Sequence, residues 1–268
     1  QPCALIRCSF RWRPEPGRVI RLGVVMRIRD EAMREFISTV AGLSGSAPSW
    51  CAGWGVHEVT AHVTAAAVER ADLIEEHLAG RPPRPTRSWE AREPPLRALS
   101  TAALRARLVE EAVRFERAVD TMSDRDRLTY TGWDMSAARL RAHSHSEAAL
   151  HRWDLVGDDD TGVRLLSDPR MTEHALAVFA AIPALSEAKR WVEADRTLRL
   201  RSEGQRDVLV ATGHDPCMAD PCGDAIELRP HERLLVLWGR VPPGLRRPDG
   251  PPETVDELVP RLAGHDHP

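Results

Sequence analysis

Residues 143–154, HSHSEAALHRWD, place three imidazoles beside a carboxylate on one short stretch of chain. The imidazoles belong to His143, His145 and His151, and the carboxylate belongs to Glu147. On a helix, Glu147 and His151 share one face because they are four residues apart, and such a pair can chelate one ion. The same residue types are also common on solvated helices and in hydrogen-bonded cores. A wet surface, a core network and a metal site are therefore all open interpretations of this stretch.

This stretch cannot supply a complete metal site by itself. His143 would lie about 12 Å along the helix axis from His151, at about 1.5 Å per residue. Zinc ligands sit only about 2.0–2.2 Å from the ion, so a third ligand has to come from another helix. We therefore expect His143 and His145 to be outer-face or pocket-edge residues and not ligands.

His62 is the candidate for the third ligand. It lies between Val59 and Ala66 on the apolar face of a predicted helix, so its ring should point into the protein. Alone, such a histidine is either a core residue or a ligand. Together with Glu147 and His151 it makes a set of two histidines and one glutamate that leaves a coordination position open. Catalytic zinc sites have this composition and non-haem iron sites use a similar one, so zinc and another divalent metal both remain possible.

Asp154 follows His151 by three residues on the same side of the predicted helix. One interpretation is that it accepts the spare imidazole N–H of a ligating histidine and so orients the ring. The other is that it is simply a polar residue at the end of the helix.

Four segments carry apolar residues at helical spacing and must position these side chains. They are residues 30–43, 50–80, 96–122 and 136–157. A loop rich in proline and arginine, residues 81–95, connects the second segment to the third. This order predicts a four-helix bundle, whose core is a place where facing helices build metal sites.

The pattern changes after the GDDDTG turn at residues 157–162. Helices are predicted over residues 169–191 and 231–240, and alternating strands over 197–202, 207–212 and 225–228. A proline-rich segment and a short helix follow. The fold class is therefore mainly α, and α+β overall, with a small second domain beside the bundle. The expected domains are residues 1–29, a disordered or mis-started extension, residues 30–162, the bundle, and residues 168–262, the second domain.

Composition excludes several classes of partner. The chain has 268 residues, is 42% hydrophobic and has a net charge of −3, which gives no reason to expect nucleic acid or an anionic membrane. No apolar run approaches the roughly 20 residues of a membrane span. Five cysteines without paired spacing favour a reducing cytoplasm. Cys51 precedes the second helix, and we expect it to be a buried, inert thiol, with a position near the cleft as the alternative.

Three segments together resemble the mycothiol-dependent maleylpyruvate isomerase family. They are GWGVHEVTAHV at residues 53–63, RLRAHSHSEAALHRWDL at 139–155 and LLVLWGR at 234–240. The resemblance runs in order from about residue 30 to 243. Glu58 stands where the family usually has aspartate, and the histidine run is richer than the family needs.

The resemblance implies a DinB-like four-helix bundle that carries a divalent metal, usually zinc, followed by a small α/β domain. It implies that His62, Glu147 and His151 are the metal ligands. It also implies that Arg240 points toward the active cleft from the second domain, where we expect it to be catalytic by pairing with a carboxylate. The alternative for Arg240 is a cation favoured by the end of a helix.

The implied function is activation of a low-molecular-weight thiol as thiolate, with mycothiol as the cosubstrate and an electrophilic or carboxylate-bearing small molecule as the partner. The reaction would be cis–trans isomerisation, as in maleylpyruvate isomerase, or S-transfer. His143 or His145 could act as a base if the helix turns one toward the cleft. An oligomer is possible. The alternatives are a metal-binding DinB-like module without catalysis, and a metal-dependent hydrolase that uses bound water.

Overall fold

The computed structural model describes residues 27–182, 197–211, 214–223 and 225–240. The helices are α1 (Glu31–Gly42), α2 (Val56–Leu78), α3 (Trp89–Arg92), α4 (Pro94–Arg97), α5 (Thr101–Asp120), α6 (Ala137–Val156), α7 (Asp160–Leu166), α8 (Pro169–Ala181) and α9 (Pro230–Leu237). The strands are β1 (Leu128–Tyr130), β2 (Trp133–Met135), β3 (Thr197–Arg201), β4 (Asp207–Ala211), β5 (Cys217–Ala219) and β6 (Ile226–Glu227). This arrangement confirms the predicted class, mainly α and α+β overall.

The four long helices α1, α2, α5 and α6 form the bundle. Helix α2 packs mainly against α5, and α1 packs mainly against α6. Helix α6 also contacts α2, so residues of these two helices face each other inside the bundle. The apolar face predicted for α2 is buried, including Val59, Val63 and Ile74. Ile28 packs into the same core, so the packed structure includes residues before α1.

Local sequence signals fix where the bundle helices begin. The side chains of Asp30, Ser100 and Ser136 accept hydrogen bonds from backbone N–H groups in the first turns of α1, α5 and α6. At the start of α2, Glu58 reaches back and accepts the N–H of Gly55 at 2.9 Å. The glutamate at this position, where the resembling family has aspartate, therefore makes one half of a capping box, since Gly55 has no side chain to make the other.

Several elements were not predicted from the sequence. The loop at 81–95 contains the short helix α3 and the start of α4, and the chain before α6 forms the β1–β2 hairpin. The helical region continues as α7 beyond the GDDDTG turn, and β5 was also missed. The predicted helix over residues 169–191 ends at Ala181, and its residues 183–191 lie outside the described residues, as do the N-terminal residues 1–26 and the proline-rich C-terminal segment with its short helix.

The second part of the chain forms a four-stranded sheet in the order β5–β4–β3–β6. Strand β4 pairs antiparallel with β3 and β5, whereas β6 pairs parallel with β3. The apolar side of α9 is buried and packs against α7 and α8, which follow the bundle. This packing brings the end of α9 to the C-terminal end of α6. In the part of the chain that the structure describes, no helix is both long and apolar enough to cross a membrane.

The histidine run on α6 has two distinct environments. His143 is only 6% exposed, so it does not lie on an outer face of α6 as one of the two expected placements had it. Its Nδ1 lies 3.3 Å from Nε2 of His174 on α8, and its ring meets the edge of Tyr130. His145 is half-buried, and its Nδ1 bonds to Asp30 Oδ1 at 3.0 Å.

The His143–His174 pair makes stability sensitive to acid. Burial lowers the pKa of His143 to about 3 and that of His174 to about 4. The unfolded chain takes up these protons near pH 6.5 and the folded chain does not, so stability falls as the pH drops below 6.5. Replacing His174 with Gln should remove about 1–2 kcal/mol of the loss between pH 7 and pH 5.

Urea unfolding at both pH values, with chelator present so that metal release does not contribute, measures this effect. The exposed His214 supplies the control, since His214→Gln should follow the parent chain. A pH dependence that is unchanged in His174→Gln would contradict the assignment.

Candidate metal centre

Three side chains from two helices converge at one point inside the bundle. Nε2 of His62 on α2 lies 3.9 Å from Oε2 of Glu147 on α6, and Nε2 of His151 lies 3.8 Å from the same oxygen. The three ligand atoms all lie within 4.8 Å of one another. The geometry thus brings together the set that was predicted from the sequence.

The spacing of these atoms fits a small divalent cation. A tetrahedral ion with bonds of about 2.0–2.2 Å needs ligand atoms roughly 3.3–3.6 Å apart. The two distances to Glu147 exceed this range by only a few tenths of an ångström, which small side-chain rotations can close. Two nitrogens and one oxygen also form the donor set that zinc accepts while retaining an open position.

Both imidazoles are oriented by buried carboxylates. Nδ1 of His62 bonds to Oε1 of Glu93 at 2.7 Å, and Nδ1 of His151 bonds to Oδ2 of Asp154 at 2.9 Å. Because a carboxylate accepts, each Nδ1 carries a proton, and each imidazole in its neutral form directs the Nε2 lone pair at the point of convergence. Asp154 therefore makes the hydrogen bond that one of its two interpretations required.

Glu93 is a site residue that the sequence did not reveal. It lies between α3 and α4 and is only 1% exposed. Arg97 donates to its other oxygen at 2.7 Å from Nη2, and the Arg97 guanidinium also lies over the ring of Trp54. Burial raises the pKa of Glu93, but the hydrogen bonds and charges of His62 and Arg97 outweigh burial and leave this pKa below its usual value. Glu93 is therefore held as the carboxylate.

Arg240 reaches the site from the second part of the chain, but it is already paired. Its Nε and Nη2 each donate to one oxygen of Asp154 at 2.7 Å, and Nη1 donates to the carbonyl of Trp238 at 3.2 Å. Burial raises the pKa of Asp154, yet the charge and hydrogen bonds of Arg240, with those of His151, hold it far below its usual value. Arg240 thus contacts the site through Asp154 and His151.

At the point of convergence, His62 and Glu147 each shift the pKa of the other. Burial lowers the pKa of His62, but the nearby carboxylates of Glu147 and Glu93 outweigh burial and leave it above its usual 6.5. Burial raises the pKa of Glu147, but the nearby imidazoles of His62, His143 and His151 leave it well below 4.5. Glu147 is therefore the carboxylate, the form in which this side chain binds a metal.

Cys51 lies beside the site without completing it. Its sulfur can be grouped with His151 and Asp154 as a second possible ligand set. Burial and the charge of Asp154 raise the pKa of this thiol to about 12, so it stays protonated. The carboxylate of Asp154 already accepts hydrogen bonds from Arg240 and His151. The set that includes Glu147 is therefore the better cation site. Cys51 is half-buried and not fully buried as expected, while its protonated thiol fits the expected inertness.

Fold and site together define a four-helix-bundle protein with a two-histidine, one-glutamate candidate metal centre, next to a small sheet-containing unit. Residues 27–156 match the family model described as the mycothiol maleylpyruvate isomerase N-terminal domain. This match confirms the resemblance seen in the sequence. A search of curated proteins gave no match.

Two solved structures share the fold. One is a mycothiol-dependent maleylpyruvate isomerase, with a TM-score of 0.56 and 18% sequence identity over 82% of this chain and 89% of that one. The other is a variant of such an enzyme with one histidine replaced by alanine, with a TM-score of 0.55 and the same identity and coverage. At this identity the likeness extends to the fold alone.

The convergence of ligand atoms predicts how metal content responds to substitution. His62→Ala, Glu147→Gln and His151→Ala should each lose most of the bound zinc, since each removes a ligand atom. Metal analysis of the purified variants measures the loss, and His145→Ala from the same stretch should keep the parent content. Full metal content in all three ligand variants would place the site elsewhere.

The orienting carboxylates should matter almost as much as the ligands. Glu93→Gln and Asp154→Asn should weaken zinc affinity by about 10–100-fold, because neither amide stabilises the imidazole as a carboxylate does. Competition with a chromogenic chelator measures this affinity. The surface pair of His77 and Asp126, at 3.1 Å, offers a matched control in Asp126→Asn. Equal affinities in all three variants would contradict the orienting role.

Proposed function

We propose that the protein is a divalent-metal-dependent enzyme of the mycothiol-dependent maleylpyruvate isomerase type, with zinc as the metal and mycothiol as its thiol cosubstrate. The observation that carries this proposal is the convergence of His62 Nε2, His151 Nε2 and the Glu147 carboxylate with both imidazole protons committed elsewhere. The family of residues 27–156 and the fold of the solved structures support it.

The three ligands would hold the cation, and the other residues prepare them. Glu93 and Asp154 hold the Nδ1 protons, so that both Nε2 atoms are free to bind. When bound, a divalent cation supplies positive charge that favours the thiolate form of a thiol whose free pKa is near 8.5. Glu147 is 19% exposed and His62 is 15% exposed, so this side of the centre is open to solvent and small molecules.

The thiol comes from a cosubstrate in this proposal. The protonated Cys51 is a poor nucleophile because the thiolate is the reactive form. A bound low-molecular-weight thiol supplies the sulfur that adds reversibly to a cis double bond in isomerisation, or remains on an electrophile in S-transfer. Isomerisation is the reaction that the names of the related structures support.

Arg240 has a positioning role in this proposal. It fixes both oxygens of Asp154, and Asp154 in turn fixes His151. The prediction that Arg240 pairs with a substrate carboxylate and is catalytic stays a prediction, since its three nitrogens already have partners within the chain. His143 is a poor base because its pKa is lowered by burial to about 3, and His145 is engaged with Asp30.

An activity assay with zinc-loaded protein, mycothiol and maleylpyruvate tests the proposal. We expect isomerisation that requires the thiol, is abolished by chelator, and falls to background in Glu147→Gln. His145→Ala should retain the parent rate.

Other outcomes would identify the alternatives. Metal-dependent turnover of an ester or amide without thiol would instead indicate a hydrolase. A zinc-loaded protein that neither turns over nor binds mycothiol would indicate a metal-binding module without catalysis.

A further inference from the structure

A buried carboxylate on α2 holds the loop of residues 81–95. Glu69 is fully buried, and both of its oxygens accept hydrogen bonds from this loop. Arg84 Nη1 and the backbone N–H of Arg87 donate to Oε1 at 2.6 and 2.8 Å, and Arg87 Nε donates to Oε2 at 2.5 Å. Burial raises the pKa of Glu69, but the hydrogen bonds from Arg84 and Arg87 outweigh burial and leave this pKa below its usual value. Glu69 is therefore an ionised anchor for the loop.

The same loop carries Glu93, which meets α2 at His62. His62 and Glu69 are seven residues apart on α2, so they share one face and lie about 10.5 Å apart along the helix axis. Arg87 bonds to Glu69 at one of these points, and Glu93 bonds to Nδ1 of His62 at 2.7 Å at the other. The loop is thus attached to one face of α2 at two points, and one of them belongs to the candidate metal centre.

The segment between the two attachment points is a hydrogen-bonded turn. The N–H of Arg92 donates to the carbonyl of Ser88 at 3.1 Å. The N–H of Glu93 donates to the carbonyl of Trp89 at 3.0 Å. This turn, α3, also packs against α2. Because the turn is short and internally bonded, a shift of the backbone at Arg87 is passed on to Glu93.

We propose that Glu69 is a positioning residue of the candidate metal centre, since it fixes the loop that presents Glu93 to His62. This role rests on the metal centre of the proposed function, and it adds a residue two helical turns from the nearest ligand. An undocked loop would leave Nδ1 of His62 without its acceptor. The apparent zinc affinity would then fall with the fraction of molecules whose loop is docked.

Glu69→Gln tests the anchor with little change in shape. An amide offers one acceptor oxygen, and its NH2 group would face an N–H donor of Arg84 or Arg87. We expect the zinc affinity, measured by competition with a chromogenic chelator, to fall by at least about three-fold. The loss should not exceed that of Glu93→Gln, because Glu69 acts through Glu93.

A buried carboxylate in the sheet supplies the matched control. Asp207 on β4 is fully buried, like Glu69, and it pairs with two arginines, Arg199 at 3.0 Å and Arg201 at 2.9 Å. Asp207→Asn makes the same chemical change at a position away from the loop and the bundle. It should keep the zinc affinity of the parent chain even if it lowers the free energy of unfolding.

A double-mutant cycle with Glu93→Gln separates a positioning role from a structural one. Glu69→Gln should weaken zinc binding in the parent background and have no further effect once Glu93 is replaced. Equal losses in both backgrounds, or a zinc affinity that ignores Glu69, would overturn the proposal. If Glu69→Gln does not fold, Arg84→Gln decides by the same cycle, because the Arg84 side chain is partly exposed and forms the same anchor.

Limited trypsin cleavage of metal-free protein measures the loop directly. Within residues 81–95, trypsin can cut after Arg87 and Arg92, since the other two arginines precede proline. Cleavage at these bonds should be faster in Glu69→Gln than in the parent chain and unchanged in the sheet control.

The two measurements distinguish failure of the anchor from failure of the metal centre. A parent chain that binds no zinc would reject the centre and with it the positioning role, although faster cleavage would still identify Glu69 as the loop anchor. A parent chain that binds zinc, with cleavage and affinity unchanged in Glu69→Gln, would reject the role of Glu69 alone.

Discussion

The hydrogen bonds from two imidazole N–H groups to two buried carboxylates are the interactions on which the candidate centre depends. Without Glu93 and Asp154, His62 and His151 could place either nitrogen toward Glu147, and the three atoms would not form a defined ligand set. The bonds at 2.7 and 2.9 Å fix both the proton position and the ring orientation. The helices bring the two rings close together, and the carboxylates then fix which nitrogen of each ring faces Glu147.

Each orienting carboxylate has its own cation, and these cations come from different parts of the chain. Arg97, at the end of α4, donates hydrogen bonds to Glu93, and Arg240, which follows α9, donates to Asp154. A buried carboxylate without such a partner would be expensive to keep ionised. The packing of α9 against α7 and α8, which carries Arg240 to Asp154, therefore supports the candidate centre. This is a physical reason for the second unit to accompany the bundle.

The sequence was informative where periodicity applies. Glu147 and His151 share a face because of their spacing, and His62 lies in an apolar stripe. Helix geometry therefore sufficed to predict the candidate triad. Glu93 could not be found in this way, because it lies in a proline-rich segment whose backbone has no regular period. The hydrogen bond of Asp154 was one of two open interpretations, whereas its pairing with Arg240 joins residues 86 apart and is a tertiary fact. His143 was expected away from the interior or at its edge because spacing alone does not show that α8 covers that side.

The arginines show why charge satisfaction is more informative than residue type. Arg240 lies in a motif that suggests catalysis. Its Nε and Nη2 already donate to the two oxygens of Asp154, so its charge is neutralised within the fold. Arg70 lies in an unremarkable alanine-rich helix, yet its guanidinium is buried with two nitrogens unpaired. The sequence motif suggests that Arg240 binds a substrate carboxylate, whereas the structure shows that its charge holds Asp154 ionised beside His151.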